Sequence, residues 1–510
     1  MTVSGFTLLS RILGLLRDMV IAHHLGGRSV GADAWNAAFQ FPNFFRRVFG
    51  EGAFNAAFVP MYSGKLEGEE SEAFRFANRV IILLAFILAG VFALCFFFIG
   101  PIMWFVNMGY DADTLELTIS LARITTGYLF FVCLLAAFSG ILNSHKKFAA
   151  PAMSYAFLNI IFLGALLGVM PFIDVDAEYV LSWSLLVAGL VQFSIVFVSA
   201  WRMGFRFRPR LPKIDSDMKR LGLLMIPGLV SAGVQQLNLL VGGMIASFQP
   251  GAKSVMYYAD RINQLPLGLI GIAFGVVLLP DISRKVKAND MEQARGSLQM
   301  GLTMAMLLAL PAMIGMTVLA EPIFEAFFKS GEFTSQDSTV IGHALMAFAI
   351  GCPAYIMVRV VQPGYFARED TKTPMRFTFI SAFVNIVLCG VAWLTMRDSG
   401  NLHIGCAAAT TIAGWLNVFL LINGLKKDGF MKLERAFWMK MFKMLIASVV
   451  MGVVVYFAAD LLKETLYEGM KLVKIMVLLL IASTGVVSYF LAVHIIGAVS
   501  LTEIKQGFRR

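Results

Sequence analysis

The stretch FPNFFRRVFGEGAF, residues 41–54, sets two guanidinium groups, Arg46 and Arg47, shortly before Glu51 among Phe, Val, Gly and Ala. Further charges interrupt apolar runs elsewhere: Arg11, Arg17 and Asp18; Asp33; Arg123; Asp260 and Arg261; Arg359. A guanidinium is a planar fork of donors suited to bidentate grip on phosphate oxygens. Three or four arginines at the centres of lipid-facing helices would cost on the order of 10 kcal/mol. Such residues must therefore face water, protein partners or a ligand. The excess of cations points to a bound anion, and the fork geometry to a phosphorylated one.

Helical geometry sorts these charges in part. Arg11 and Asp18, seven apart, share one stripe, whereas Arg17 points about 120° away from Arg11 at roughly 100° per residue. Arg47 and Glu51 form an i, i+4 pair that neutralises itself in part; Arg46 is one residue off that pairing. Arg123, Arg359 and the Arg47–Glu51 pair also fit helix-end or interhelical structural roles. Asp18, Arg47, Glu51 and Asp260 are therefore read as gating or structural ion-pair residues, and Arg11, Arg17, Arg46 and Arg261 as ligand-facing. Pro42, Gly50 and Gly52 weaken the second span's helix beside its arginines, as do Pro266 and Gly268 in the eighth, and both places suit a bend.

The elements that must position these residues follow from composition. The 510-residue chain is 58% hydrophobic and 15% charged, with a mean hydropathy of +0.76. Soluble domains run near 45–50% apolar and about 25% charged, so the chain reads as a polytopic membrane protein. Its net charge of +10 is explained by basic loops at a membrane surface, without nucleic acid. The five cysteines lie in apolar runs without CxxC spacing and the six histidines are scattered, so neither a metal nor another cofactor is expected. The N-terminus lacks a basic region ahead of a clean apolar run, so no cleavable signal is expected.

Fourteen apolar spans are expected, near 5–25, 32–62, 79–107, 115–143, 150–171, 180–202, 218–248, 254–283, 296–319, 336–364, 375–396, 403–425, 438–461 and 472–498. Lys and Arg crowd the loops after even-numbered spans, while NMGYDADTLE and PFIDVDAEY, after odd ones, have none. This places both termini in the cytoplasm. At an offset of 220, AFVPMYSGKLEGEESEAFR aligns with VLLPDISRKVKANDMEQAR, matching Pro60 with Pro280, Lys65 with Lys285 and Arg75 with Arg295. In a second, weaker pair HKKFAAPAMSYAFLNII resembles EDTKTPMRFTFISAFVNIV, with Pro151 on Pro374 and a three-residue gap bringing Asn159 onto Asn385. The expected fold is all-α and integral to the membrane: two pseudo-symmetric six-helix lobes, 1–210 and 211–430, with two further helices in 431–510.

Two blocks carry a specific resemblance: SRILGLLRDMVIAHHLG…ADAWNAAFQFPNFFRRVFGEGAFNAAFVP, and MYYADRINQLPLGLIGIAFGVVLLP followed by GYFAREDTKTPMR. Over essentially its whole length the chain resembles the MurJ/MviN family of lipid II flippases, within the multidrug/oligosaccharidyl-lipid/polysaccharide exporter superfamily. The resemblance implies a transporter, not an enzyme, in the bacterial inner membrane. Its substrate would be undecaprenyl-diphosphate-linked disaccharide-pentapeptide, moved from the cytoplasmic to the periplasmic leaflet for peptidoglycan synthesis. Helices 13 and 14 would form a groove for the polyprenyl tail, with membrane lipids and the cell-wall synthesis machinery as partners. Carried over by position, the substrate-binding charges are Arg11, Arg17, Asp33, Arg46 and Arg261, Asp33 being added by the resemblance. Gln264 stands where some members have Glu, and no acidic residue lies between Arg220 and Asp260, where some members bind sodium. The membrane potential is then the expected driver.

Two other classes compete. A drug or cation antiporter of the same superfamily wants acidic residues in its cavity and few arginines, the reverse of this chain. A membrane enzyme acting on polyprenyl phosphates needs a carboxylate cluster or a His–Asp constellation; DADTLE and DVDAEY contain DxD letters but sit in short loops without basic or histidine company.

Overall fold

The computed structural model describes residues 2–208, 215–500 and 503. They form helices and one isolated β-bridge, Ser330 with Phe333. Packing divides the chain into two compact units, 1–253 and 254–510.

The first unit holds α1 (Thr2–Leu25), α2 (Val30–Phe45), a π-helical stretch (Arg46–Ala53), α3 (Phe54–Leu66), α4 (Glu70–Phe97) and α5 (Ile99–Val106). After these come α6 (Ala112–Ser144), α7 (Ala149–Gly164), α8 (Ala177–Arg202) and α9 (Ser216–Ala246). The helix α10 (Ala252–Pro266) leads into the second unit through another π-helical stretch, Leu267–Gly271, and α11 (Ile272–Lys287). There follow α12 (Met291–Val318), α13 (Ala320–Phe327), α14 (Ser335–Phe366) and α15 (Lys372–Met396). The chain ends in α16 (Leu402–Lys427), α17 (Arg435–Leu461), α18 (Lys463–Glu468) and α19 (Lys471–Ile496).

Polar side chains set several of the helix starts, because the first backbone N–H groups of a helix lack intrahelical acceptors. Ser29 Oγ accepts from Ala32 N at 3.0 Å, Asp111 Oδ1 from Thr114 N at 2.7 Å and Asp215 Oδ1 from Met218 N at 3.0 Å. The Thr114 N–H holds the Asp111 carboxyl below the usual carboxylate range. Thr334 and Asp337 close a reciprocal capping box at the start of α14.

Ten helices among the described residues are long and apolar enough to cross a membrane. They are not equally buried. The apolar window of α6 is 78% buried and that of α14 is 67%, against 22% for α15. Thus α6, packed on α2, α4 and α8, is the centre of the first unit, and α14, packed on α12 and α16, is the centre of the second. Outward-facing Phe97, Trp104, Phe383 and Leu394 are exposed in the isolated chain, as lipid-facing residues must be. The helix α9, counted from the sequence with the second lobe, packs in the first unit against α3, α5 and the Arg46–Ala53 stretch.

Of three π-helical stretches among the described residues, two fall at matching places under the 220-residue offset, directly after Phe45 and directly after Pro266; the third, Ala165–Val169, follows α7. In a π turn the backbone bonds i to i+5 rather than i+4, and such turns recur where helices serve function. The weakness expected from Pro42, Gly50, Gly52, Pro266 and Gly268 takes this form: the α ladder is interrupted beside the charges of both spans.

One close approach depends on a glycine. A Cβ on Gly109 would lie 2.4 Å from Phe248 Cα and N, and the Gly109 N–H donates to Ser247 Oγ at 3.0 Å. Backbone cannot retreat as a side-chain tip can. Gly109→Ala is therefore expected to cost about 1–3 kcal/mol, read as a fall in Tm of the purified protein; an unchanged Tm would refute the contact.

Candidate functional site

In α1, Arg17 is 5% exposed and Asp18 fully buried. Arg17 Nε and Nη2 donate to Asp18 Oδ1 at 3.0 and 2.7 Å, and Nη1 donates to Asn159 Oδ1 on α7 at 3.0 Å. Asn159 Nδ2 in turn donates to the Ser10 carbonyl at 3.0 Å, and the guanidinium lies 5.7 Å from the Phe162 ring centroid. Arg17 is thus the core of a clamp between α1 and α7. Arg11 and Asp18 share a stripe by periodicity, yet Asp18 engages its neighbour Arg17. Arg11 is half-exposed, and no hydrogen bond or ion pair holds its guanidinium among the described residues.

Asp33 sits in the first turn of α2 and is 2% exposed. Its Oδ2 accepts from Gly251 N at 2.7 Å, and Tyr110 Oη donates to its backbone carbonyl at 3.2 Å. Gly251 has φ +78°, and a Cβ there would meet Arg28 Cβ at 2.8 Å, so this turn needs glycine twice over. Next to it Lys253, 3% exposed, donates to Asn107 Oδ1 and to the Val106 carbonyl at 3.4 Å, over the Tyr110 ring. A lysine this buried must be paired; here a side-chain amide, a carbonyl and a ring face serve. Asp33 therefore anchors the 249–253 turn to the start of α2.

Arg46 opens the π-helical stretch and donates from Nε to Asn43 Oδ1 at 3.0 Å. Arg47 lies in the same stretch, where α-helical i, i+4 geometry does not apply; the Glu51 side chain lies outside the described residues. In the second unit, Asp260 accepts from Gln264 Nε2, so the glutamine found where some members carry glutamate is a donor to the neighbouring carboxylate. Arg261 follows on α10, half-exposed. Arg123 is exposed on α6. Arg359, also exposed, packs its Cδ where a Cβ on Gly271 would be 2.8 Å away, which sets it against the Leu267–Gly271 stretch.

Within the first unit, then, the structure brings Arg17 and Asp18 together and ties Asp33 to a different partner set. The sequence reading gave no site role to Asn159, Gly251, Lys253 or Asn107. A signal existed for two of them: Asn159 interrupts an apolar span and has a repeat counterpart in Asn385, itself 3% exposed, and Lys253 is a cation at the head of a span.

Comparison with known proteins covers the same ground from outside. A sequence profile described as "MurJ: Lipid II flippase MurJ" matches residues 21–478. The chain is 36% identical over 517 residues to a Rhizobium tropici protein named "Probable lipid II flippase MurJ", covering 100% of this chain and 96% of that one. Among solved structures it superposes on "Lipid II flippase MurJ, inward closed conformation" with TM-score 0.77 and 29% identity, over 94% of this chain and 98% of the other. An inward-facing multidrug resistance MATE transporter of the MOP superfamily matches with TM-score 0.65 at 14% identity, over 82% of this chain and 96% of that one, which shows the fold alone. A multi-pass integral membrane protein with these helices, these embedded charges and this full-length likeness belongs to the MurJ lipid II flippase family.

Proposed function

We propose that the chain carries lipid II, the undecaprenyl-diphosphate-linked peptidoglycan precursor, from the cytoplasmic to the periplasmic leaflet of the bacterial inner membrane. The observation that carries this reading is identity over the entire chain to proteins named as lipid II flippases. The embedded guanidiniums supply its chemistry. Arg11, Arg46 and Arg261 grip the diphosphate, Arg17 acts with them from its α1–α7 clamp, and Asp33 acts from the turn it anchors. Asp18, Arg47, Glu51 and Asp260 serve as gating or structural partners of these cations. The chain crosses the membrane fourteen times with both termini cytoplasmic, as lobes 1–210 and 211–430 and a tail-binding pair of helices in 431–510. It works by alternating access, exposing the cationic residues first to one face of the membrane and then to the other. No covalent step is required of it. Each charge moved through 100 mV supplies about 2.3 kcal/mol, so the membrane potential is a sufficient driver. Cell-wall synthesis enzymes are its partners in the envelope.

The test is depletion in the native host. Lipid II should accumulate in the cytoplasmic leaflet, inaccessible to a probe added from outside. Accumulation in the outer leaflet, or none, would overturn the reading.

A further inference from the structure

A group of cations that the flipping reading does not use lies in the second unit. The end of α13, the turn carrying the Ser330–Phe333 bridge, the first turn of α14 and the junction of α18 with α19 border an open cavity of about 500 Å³. Lys329, Lys471 and Lys474 line it with the hydroxyls of Ser330, Thr334 and Ser335, and no carboxylate does.

The lysines are held in place. Glu325, 1% exposed beneath them, takes Lys329 Nζ at 2.5 Å and Lys474 Nζ at 3.1 Å on its Oε1. Lys474, 7% exposed, also donates to the Tyr467 carbonyl at 2.6 Å. Lys471 Nζ donates to Ser330 Oγ at 3.2 Å, a neutral partner that leaves its charge unbalanced. Asp337 is drawn into the Thr334 capping box. Lys329 and Lys474 share the Glu325 carboxylate and Lys471 has a neutral partner, so the three ammonium groups outnumber the one carboxylate that they contact. The 32-residue helix α14 adds the positive end of its dipole and its first free N–H groups. The Ser330, Thr334 and Ser335 hydroxyls already donate to the Phe328 carbonyl, Asp337 and Glu325, so a phosphoryl group would meet the ammonium groups and the helix start.

The surroundings indicate where the phosphoryl group comes from. Met470 and Leu472, on either side of Lys471, are 77% and 70% exposed. A cation between two bare apolar side chains is the arrangement of a membrane interface, with stems in acyl chains and charge among headgroups. The charge asymmetry of the loops puts this end of the helices on the outer face. We infer that this cavity is a phosphoryl-binding site at the outer leaflet, filled by the headgroup of an anionic phospholipid or by free phosphate. It does not depend on the flipping assignment, and its test reads binding alone.

The full chain is reconstituted in nanodiscs of equimolar phosphatidylglycerol and phosphatidylcholine, and retained lipids are counted by native mass spectrometry. In parallel, Tm is followed in phosphatidylcholine discs as inorganic phosphate is added. The wild type should retain phosphatidylglycerol preferentially, with phosphate competing for it. Lys471→Gln, which removes one charge and one hydrogen bond, should weaken retention about tenfold with Tm unchanged in phosphate-free phosphatidylcholine. Ser330→Ala should weaken it less, and serves if Lys471→Gln is unstable. Lys463→Gln, on exposed α18 surface outside the cavity, should have no effect. A phosphate-dependent rise in Tm that Lys471→Gln abolishes, without lipid preference, identifies free phosphate as the occupant and upholds the site. Equal losses in Lys463→Gln and Lys471→Gln, or no response to either phosphoryl source, overturn it.

Discussion

Arg17→Ala is expected to destabilise the protein by about 3–5 kcal/mol, because it strips two guanidinium hydrogen bonds from a carboxylate with no access to water. The Asp18 side chain is 0% exposed, and the Asn159 side-chain oxygen loses its donor in the same step. The magnitude comes from desolvation: a charge buried without its counter-charge costs far more than the pair contributes when intact. The matching control follows from the same physics. Replacing both partners with apolar residues of similar volume, Arg17→Met with Asp18→Leu, should recover most of the loss. Thermal unfolding in detergent measures both. An Arg17→Ala protein as stable as wild type would show that the α1–α7 clamp is not a stabilising element. Transport by the single variant should fall together with its stability, so its activity cannot be read without the Tm beside it.

Arg11→Ala is expected to do the opposite: flipping falls about tenfold or more while stability stays within about 0.5 kcal/mol of wild type. No described residue bonds the Arg11 guanidinium, so its removal orphans no buried partner. On the proposed assignment, what is lost is a charge-assisted contact to the diphosphate. Arg11→Lys keeps the charge and loses the planar fork, and should fall between the two. The measurement is movement of labelled lipid II in proteoliposomes under an imposed potential. Wild-type rates for properly inserted Arg11→Ala would remove Arg11 from the site. The contrast between neighbours on one helix is the informative result, since both are arginines in the same apolar run and only their surroundings differ.

Much of the protein was legible from residue order alone. Apolar runs of membrane-crossing length and a chain that is only 15% charged dictate an all-helical membrane fold, since lipid leaves backbone groups no other partner. The same order shows the embedded cations, the repeat at 220 residues and the two places where proline and glycine weaken the helices. At both of those places the structure turns π-helical. These are local properties, written into neighbours along the chain, and the MurJ-family likeness follows from them.

Partner choice was not legible. A helical period says which residues share a stripe, but not which other helix the stripe meets. Arg17 finds Asn159 across 142 residues, Asp33 finds Gly251 across 218, and Lys474 finds Glu325 across 149. Periodicity set Asp18 beside Arg11, and packing against α7 gave it to Arg17. Loop charges and repeat counting group α9 with the second lobe, and nothing in its sequence foretells that it packs on α3 and α5. Sequence determined which charges interrupt apolar runs. Only the tertiary structure decided which of them are already satisfied there, because burial and counter-charge come from segments far apart in the chain.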